Sequence, residues 1–346
     1  MRIQPSASAA GSLLLLALAC STSGAEATEP APATREGVRY AIGVAPPLSL
    51  EGSAYAAAER VQLAPREPEE YPGLHNVFRL SEDIVSGSEP HGPEGLQALH
   101  DLGIRTILSV DGKAPEAEAA AALGMRYVHV PIQYSGFGED ELAEIAKTFR
   151  ELGGPFYVHC FHGKHRGPAA AAVGRVVLDG ASRETAIGEM KQYCGTSPKY
   201  EGLYREIAIT PFPGADETAR LDYDFAAVRR PAGMVGLMVA LARAHDHLVE
   251  LGRRDWQPDP EHPDVDALNQ AAQVLQAFEA AQDLGQVRAG PDDLRGWMTD
   301  ALAESRALVE ALRAQRAGAA GGGAEASASF ARLKAGCGQC HAAYRD

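Results

Sequence analysis

Residues 155–167 read Pro155-Phe156-Tyr157-Val158-His159-Cys160-Phe161-His162-Gly163-Lys164-His165-Arg166-Gly167, and an alanine-rich run continues from Pro168 to Leu178. Phe156-Tyr157-Val158 is the short apolar, aromatic and β-branched run expected of a buried strand. The alanines that follow favour a helix. Between them the chain must turn tightly, and Gly163 stands where it does so. The expected unit is therefore strand, cysteine, loop, then an arginine at a helix start. In such a loop the backbone amides and the helix N-terminus converge on one point, which suits a doubly charged anion. The same positive potential holds a thiol there as its nucleophilic thiolate. Arg166 can offer two parallel N–H groups to two oxygens of one anion.

Working outward, Val77 to Leu80 and Ile84-Val85 read as short strands, and Gly95 to Leu102 as a helix ended by Gly103. Arg105 to Val110 and Tyr127 to Ile132 are buried-type strands, with helices over Pro115 to Leu123 and Glu139 to Leu152. Strands alternating with helices predict an α/β fold, a mostly parallel central sheet flanked by helices.

The run His159-Cys160-x5-Arg166 resembles the signature of the cysteine-based protein tyrosine and dual-specificity phosphatases. Gly163-Lys164-His165-Arg166 is closest to the atypical dual-specificity members of plants and fungi. The similarity covers residues 71–212. It implies Cys160 as the nucleophile that forms a phosphocysteine and Arg166 as the clamp on the transferring phosphoryl group. It further implies a phosphate cradle of Phe161, His162, Gly163, Lys164, His165 and Arg166, with His159 orienting the loop and supporting the thiolate. Two positions depart from the family. Gly167 replaces the usual Ser or Thr, whose hydroxyl assists the second step, so turnover of the phosphoenzyme is expected to be slow. The strand matching Tyr127 to Ile132 is followed by Gln133 and Tyr134 rather than an acid. Asp140 is the preferred general acid, with Glu139 and Asp111 as rivals. Three other readings of the loop stand beside this one: a rhodanese-type sulfur carrier, a zinc site built on its histidines, and a phosphatase fold that binds an anion without turning it over.

The chain has 346 residues, enough for about two domains, and an apolar fraction of 45% that lets each bury a core. Lys and Arg total 32 against 46 Asp and Glu, a net charge of -14 that excludes nucleic acid as an expected partner. The five cysteines, Cys20, Cys160, Cys194, Cys337 and Cys340, are odd in number and irregularly spaced, which excludes a disulfide-stapled scaffold. Residues 1–20 combine Arg2 with a short apolar run and read as a signal peptide. Leu16-Ala17-Leu18-Ala19-Cys20 resembles a bacterial lipobox, which implies lipidation of Cys20, a membrane anchor and a periplasmic location; plain secretion is the other reading. Residues 21–70, rich in Ala, Glu, Pro, Thr and Ser, read as a disordered tether, with Tyr40 to Val44 as one stray strand. Cys194, near a helix end, is expected to pack, with a resolving thiol for Cys160 as the rarer role.

After residue 212 the pattern turns wholly helical. Ala226 to Leu251, Val265 to Leu284, Asp292 to Leu312 and Ser327 to Tyr344 predict an all-α four-helix bundle over 213–346. Its last helix carries Cys337-Gly338-Gln339-Cys340-His341, two thiols one turn apart followed by an imidazole, the pattern of c-type haem attachment. With Tyr344-Arg345 after it, this motif resembles the terminal motif of the cytochrome c′ family. The resemblance implies one covalently attached haem c, His341 as the iron ligand, and a distal face lined by Met234, Leu237 and Met238 of the first helix. A Met on iron would suit electron transfer with a redox partner; a Leu facing it would suit binding of a diatomic gas. The combined expectation is an exported phosphomonoesterase, acting on a phosphorylated protein or a small phosphate ester, fused to a haem module. The alternative is a haem electron-transfer or gas-binding protein with an inactive, anion-binding phosphatase fold.

Overall fold

The computed structural model describes residues 44–346 apart from 231, 232, 261, 264, 345 and 346, together with all but the side chain of 235. The proposed signal peptide, Cys20, and the stretch 40–43 lie outside the described residues. The described residues form a single compact unit.

The first part is α/β. A strap containing the short helix α1 (Ala54–Ala57) leads into strands β1 (Glu69–Tyr71), β2 (Leu74–Arg79) and β3 (Ile84–Gly87). Helix α2 (Gly92–Asp101), β4 (Thr106–Ser109), α3 (Ala117–Ala122), β5 (Arg126–His129), α4 (Glu139–Glu151) and β6 (Phe156–His159) follow. Then come α5 (Arg166–Val177), α6 (Arg183–Gln192), α7 (Glu201–Ile209) and α8 (Ala215–Arg220). The sheet order is β1-β2-β3-β6-β4-β5. Strands β3, β6, β4 and β5 run parallel, and β1 and β2 add an antiparallel edge. Every residue of β3, β4 and β6 is buried, which explains why these strands read as continuous runs without alternation. One face packs on α4 to α7 through a core that includes Phe149, Phe156, Ile187 and Tyr204. The other packs on α2 and α3 through Leu96, Leu99, Ile107, Tyr127 and Tyr157.

The reading of 21–70 as a disordered tether is corrected for its described part. Val44, Ala45, Leu48, Leu50 and Tyr55 pack on the core. The Leu48 amide donates to the Ala208 carbonyl at 2.8 Å, and Arg183 donates to the Ala45 carbonyl at 2.8 Å. Glu201 accepts from the amides of Ala54 and Tyr55 and from the Ser53 hydroxyl, and Gln192 bonds Ala58, Val61 and Leu63. The partners come from residues more than a hundred positions away, so local composition carried no sign of them.

The second part is helical: α9 (Gly233–Gly252), α10 (Ala267–Gln282), a short α11 (Gly285–Arg288), α12 (Asp292–Arg316) and α13 (Gly322–Tyr344). The Asp266 side chain caps α10 by accepting from the Asn269 amide at 2.9 Å. Helix α12 opens on Asp292 and Asp293 and ends with Arg313 and Arg316, charges that oppose its dipole at both ends. Close pairs are α9 with α10, α10 with α12, and α12 with α13. The fourth seam, α9 against α13, is wider and is spanned by side chains, among them His245 on Phe330 at 5.4 Å. The Trp256 indole donates to the Gly323 carbonyl at 3.1 Å, so the C-terminal end of α9 meets the N-terminal end of α13 and the two run antiparallel. No described helix is long and apolar enough to cross a membrane.

The boundary expected at 212 falls later. Lys147 and Arg150 of α4 donate to the Thr218, Gly214 and Pro213 carbonyls, and Arg229 forms a double hydrogen bond with Glu144. The Ala226 carbonyl accepts from the His129 amide at the sheet edge. Residues 213–229 are thus the outer wrapping of the α/β part.

Candidate active site

Strand β6 delivers Cys160 to the carboxyl end of the parallel sheet, and α5 begins at Arg166. Gly163 has φ +72°, and a Cβ there would sit inside the Gly87 carbonyl, so this turn requires glycine. The outside of the loop is tied down by its carbonyls. Phe161 accepts from the Glu89 amide at 3.0 Å, His162 from Asn76 at 2.8 Å, and Lys164 from the Thr196 hydroxyl at 2.7 Å. With the carbonyls engaged outward, the amides are left to face the centre, where α5 also points its N-terminus.

Cys160 is 3% exposed, Arg166 4% and Asp111 4%, so the site is enclosed. The Arg166 guanidinium donates to Asp111 at 2.6 Å and to the Tyr134 hydroxyl at 2.9 Å, with the Tyr134 ring 4.2 Å from its centre. Asp111 stands just past the end of β4, the strand beside β6. Burial pushes its carboxyl up, but Arg166 and the Lys113 amide and charge outweigh this and hold it below the usual carboxylate range. A carboxylate kept ionised by the arginine it touches orients that arginine; it is a poor proton donor. Asp140 stands exposed in the first turn of α4, after the 133–138 loop, with Glu139 exposed beside it.

His159 is buried, within 2.8 Å of the Tyr127 hydroxyl, and burial pushes its pKa down to about 3. It is therefore neutral, and its support of the loop is by orientation rather than by charge. His165 packs on Tyr200 at 4.5 Å and accepts from the Ser197 amide at 3.3 Å. Gly167 also has a structural reason. A Cβ there would lie 3.0 Å from the Cys160 nitrogen and 3.2 Å from the His159 carbonyl carbon, so glycine lets α5 start close against the strand end. Cys194 is buried in the core, and burial pushes its thiol far up, which suits packing.

Sequence reading missed Tyr134 as a partner of Arg166, and it missed the helical part's approach to this rim. Asn269 of α10 donates to Asp111 at 3.5 Å, and Gln276 accepts from the Ala114 amide at 2.9 Å. The Tyr200 hydroxyl lies 2.7 Å from His262. Polar residues spaced along one face of α10 were the available signal, but such a face reads equally as solvated.

At the far end of the molecule, Cys337 is half-buried, Cys340 is buried and His341 is exposed on the last turns of α13. Both thiols are free and belong to the apolar cluster that also includes Leu237, Met298, Met234 and Trp297. Because α9 and α13 are antiparallel, Met234 and Leu237 stand at the same end as the two cysteines. Among the described residues, no group of three or more His, Cys, Asp or Glu is placed to hold a metal ion by itself. Two apolar-packed thiols, one imidazole and a wide adjacent seam fit a flat macrocycle that brings its own nitrogen ligands.

No protein-family model matches the chain. Two sequence relatives, both the dual specificity protein phosphatase TpbA of Pseudomonas aeruginosa strains, are each 24% identical. The match to the one from strain UCBPP-PA14 runs over 148 residues, 41% of this chain and 66% of the relative, so the chain spans just under two thirds of its length. Among solved structures, P. aeruginosa TpbA superposes with a TM-score of 0.31 at 21% identity, over 38% of this chain and 91% of that one. The core catalytic domain of the PP-IP phosphatase Siw14 of S. cerevisiae superposes with a TM-score of 0.35 at 18% identity, over 45% and 93%. The chain thus carries a segment similar to dual specificity phosphatases, and each of these matches covers less than half of it.

Proposed function

We propose that the chain is an exported phosphomonoesterase working through Cys160. The observation that supports this reading best is the junction of β6 and α5, where Cys160, an outward-tethered loop and an arginine fixed by a buried carboxylate meet. The Cys160 sulfur attacks phosphorus, the ester P–O bond breaks, and the leaving alcohol takes up a proton. Water then attacks the phosphocysteine, releasing inorganic phosphate and the thiolate. Arg166 and the loop amides carry the charge on the equatorial oxygens through both steps. Asp111 keeps the guanidinium in register. Asp140 is assigned as the proton donor, with Glu139 beside it, because Asp111 is held ionised. With glycine at 167, no hydroxyl assists departure of the thiolate in the second step, which makes it the slower one. The substrate is a phosphorylated protein or a small phosphate ester.

At the other end, Cys337 and Cys340 would hold one haem c, each S–H adding across a vinyl group to give a thioether, and His341 would bind the iron. When bound, the haem supplies a one-electron centre or a site for a diatomic gas. Export through the 1–20 signal, with lipid on Cys20 tethering the chain to a bacterial membrane on its periplasmic side, is consistent with that chemistry.

Hydrolysis of an aryl phosphate by the full chain tests the phosphatase reading. Turnover that disappears in Cys160→Ser, in a protein of unchanged circular dichroism, is the expected result. Turnover that survives the substitution overturns the reading.

A further inference from the structure

Three loops form the rim around Cys160, and each one meets the helical part, two of them through hydrogen bonds. The turn after β4 is bonded through Ala114 to Gln276, and the Gln273 side chain lies against Gly112 in the space a side chain there would fill. Asn269, one helical turn earlier, reaches Asp111 itself. The loop after β5 places Tyr134 over Arg166, with His247 of α9 at 6.4 Å from its ring. The loop before α7 is bonded through Tyr200 to His262, and Tyr200 in turn stacks on Tyr134 at 5.0 Å. His247 and Gln270 lie 3.0 Å apart, so α9 and α10 bear on the rim together. In a parallel α/β sheet this carboxyl edge is where a ligand must enter.

We propose that the docked helical part is an inhibitory lid on the phosphate loop, and that substrate reaches Cys160 only when α10 and His262 lift from the rim. The proposal rests on Cys160 being the site of chemistry. A phosphoryl group bound to Arg166 needs the position in which Tyr134 now accepts from the guanidinium. Tyr134 cannot withdraw while Tyr200 backs it and His262 holds Tyr200. The contacts that close the lid are a few side-chain hydrogen bonds and ring contacts, each of modest net strength. The closed state is therefore favoured without being permanent, as a gate requires.

The test uses the full chain and two independent readouts, the rate at which iodoacetamide alkylates Cys160, followed by mass spectrometry, and the turnover of p-nitrophenyl phosphate. Gln276→Arg and His262→Ala each remove a different lid contact, so misfolding of one leaves the other; Glu279→Gln, on the exposed side of α10, serves as control. Expected is an alkylation rate about fivefold or more above the parent protein in each folded lid variant, with no change in the control. Turnover should rise in parallel. If alkylation rises while no form turns over, the lid stands and the phosphatase reading falls. Equal alkylation rates in the parent and both lid variants would overturn the lid.

Discussion

The two ends of the molecule solve the same problem, placing reactive groups, in opposite ways. Around Cys160 the protein supplies everything: three carbonyl tethers, a neutral buried histidine, and an arginine already paired with Asp111. Around Cys340 it supplies two thiols, an exposed imidazole and a wide seam between α9 and α13. The first site is organised before any ligand arrives, which is what electrostatic catalysis asks of a protein. Under the haem attachment proposed above, the second would gain its organisation from the group it holds.

The largest break in this comparison is expected at the second site. Replacing both Cys337 and Cys340 by Ala, with expression alongside haem-attachment machinery, should abolish the absorbance that stays with the polypeptide on a denaturing gel. It should also lower the melting temperature of the helical part while leaving that of the α/β part in place. A single transition shifted as a whole would show that the two regions are not separate in this respect. At the first site, Arg166→Lys should reduce aryl phosphate turnover by roughly two to three orders of magnitude, since an ammonium cannot grip two oxygens in one plane. Retained turnover would show that the guanidinium fork is not used.

Asp111→Asn is a smaller change in atoms with a broad effect. It leaves the buried guanidinium uncompensated and should cost roughly 3 kcal/mol in denaturant unfolding. The pH dependence follows from the sign of the shift. The carboxyl is held below its ordinary value of about 3.9, so its contribution is present above that pH and is lost as pH falls through the lower folded value. The parent should therefore lose stability below about pH 4 more steeply than the variant. The smallest expected effect is Glu201→Gln, which weakens the charge-assisted bonds to Ala54 and Tyr55 and should cost about 1 kcal/mol without changing turnover.

Legibility in the sequence followed the range of the interactions. The strand, cysteine loop and helix lie within 24 consecutive residues, 155–178, and their order could be read from local pattern alone. The four long helices were equally legible, because α9, α10, α12 and α13 repeat apolar residues at helical spacing. What stayed hidden was long-range. Asp111 meets Arg166 across 55 positions, and Asn269 meets Asp111 across 158. Asp140 drew attention as an acid after a glycine-containing loop, while the pairing that fixes Asp111 depends on strand order, which composition does not reveal. The proline-rich stretch before residue 69 looked unable to bury itself. It is held instead by side chains of α6 and α7, an arrangement that no local hydropathy reports.

Chain order gives the lid one more consequence. Every residue that tethers the phosphate loop, from Asn76 to Thr196, precedes the first residue of α9. A polypeptide that emerges from its N-terminus can therefore close the sheet and its loop while α10 is still to come. For that interval the cysteine faces solvent with its clamp in place, and a small anion present at that moment can be enclosed when the remaining helices arrive.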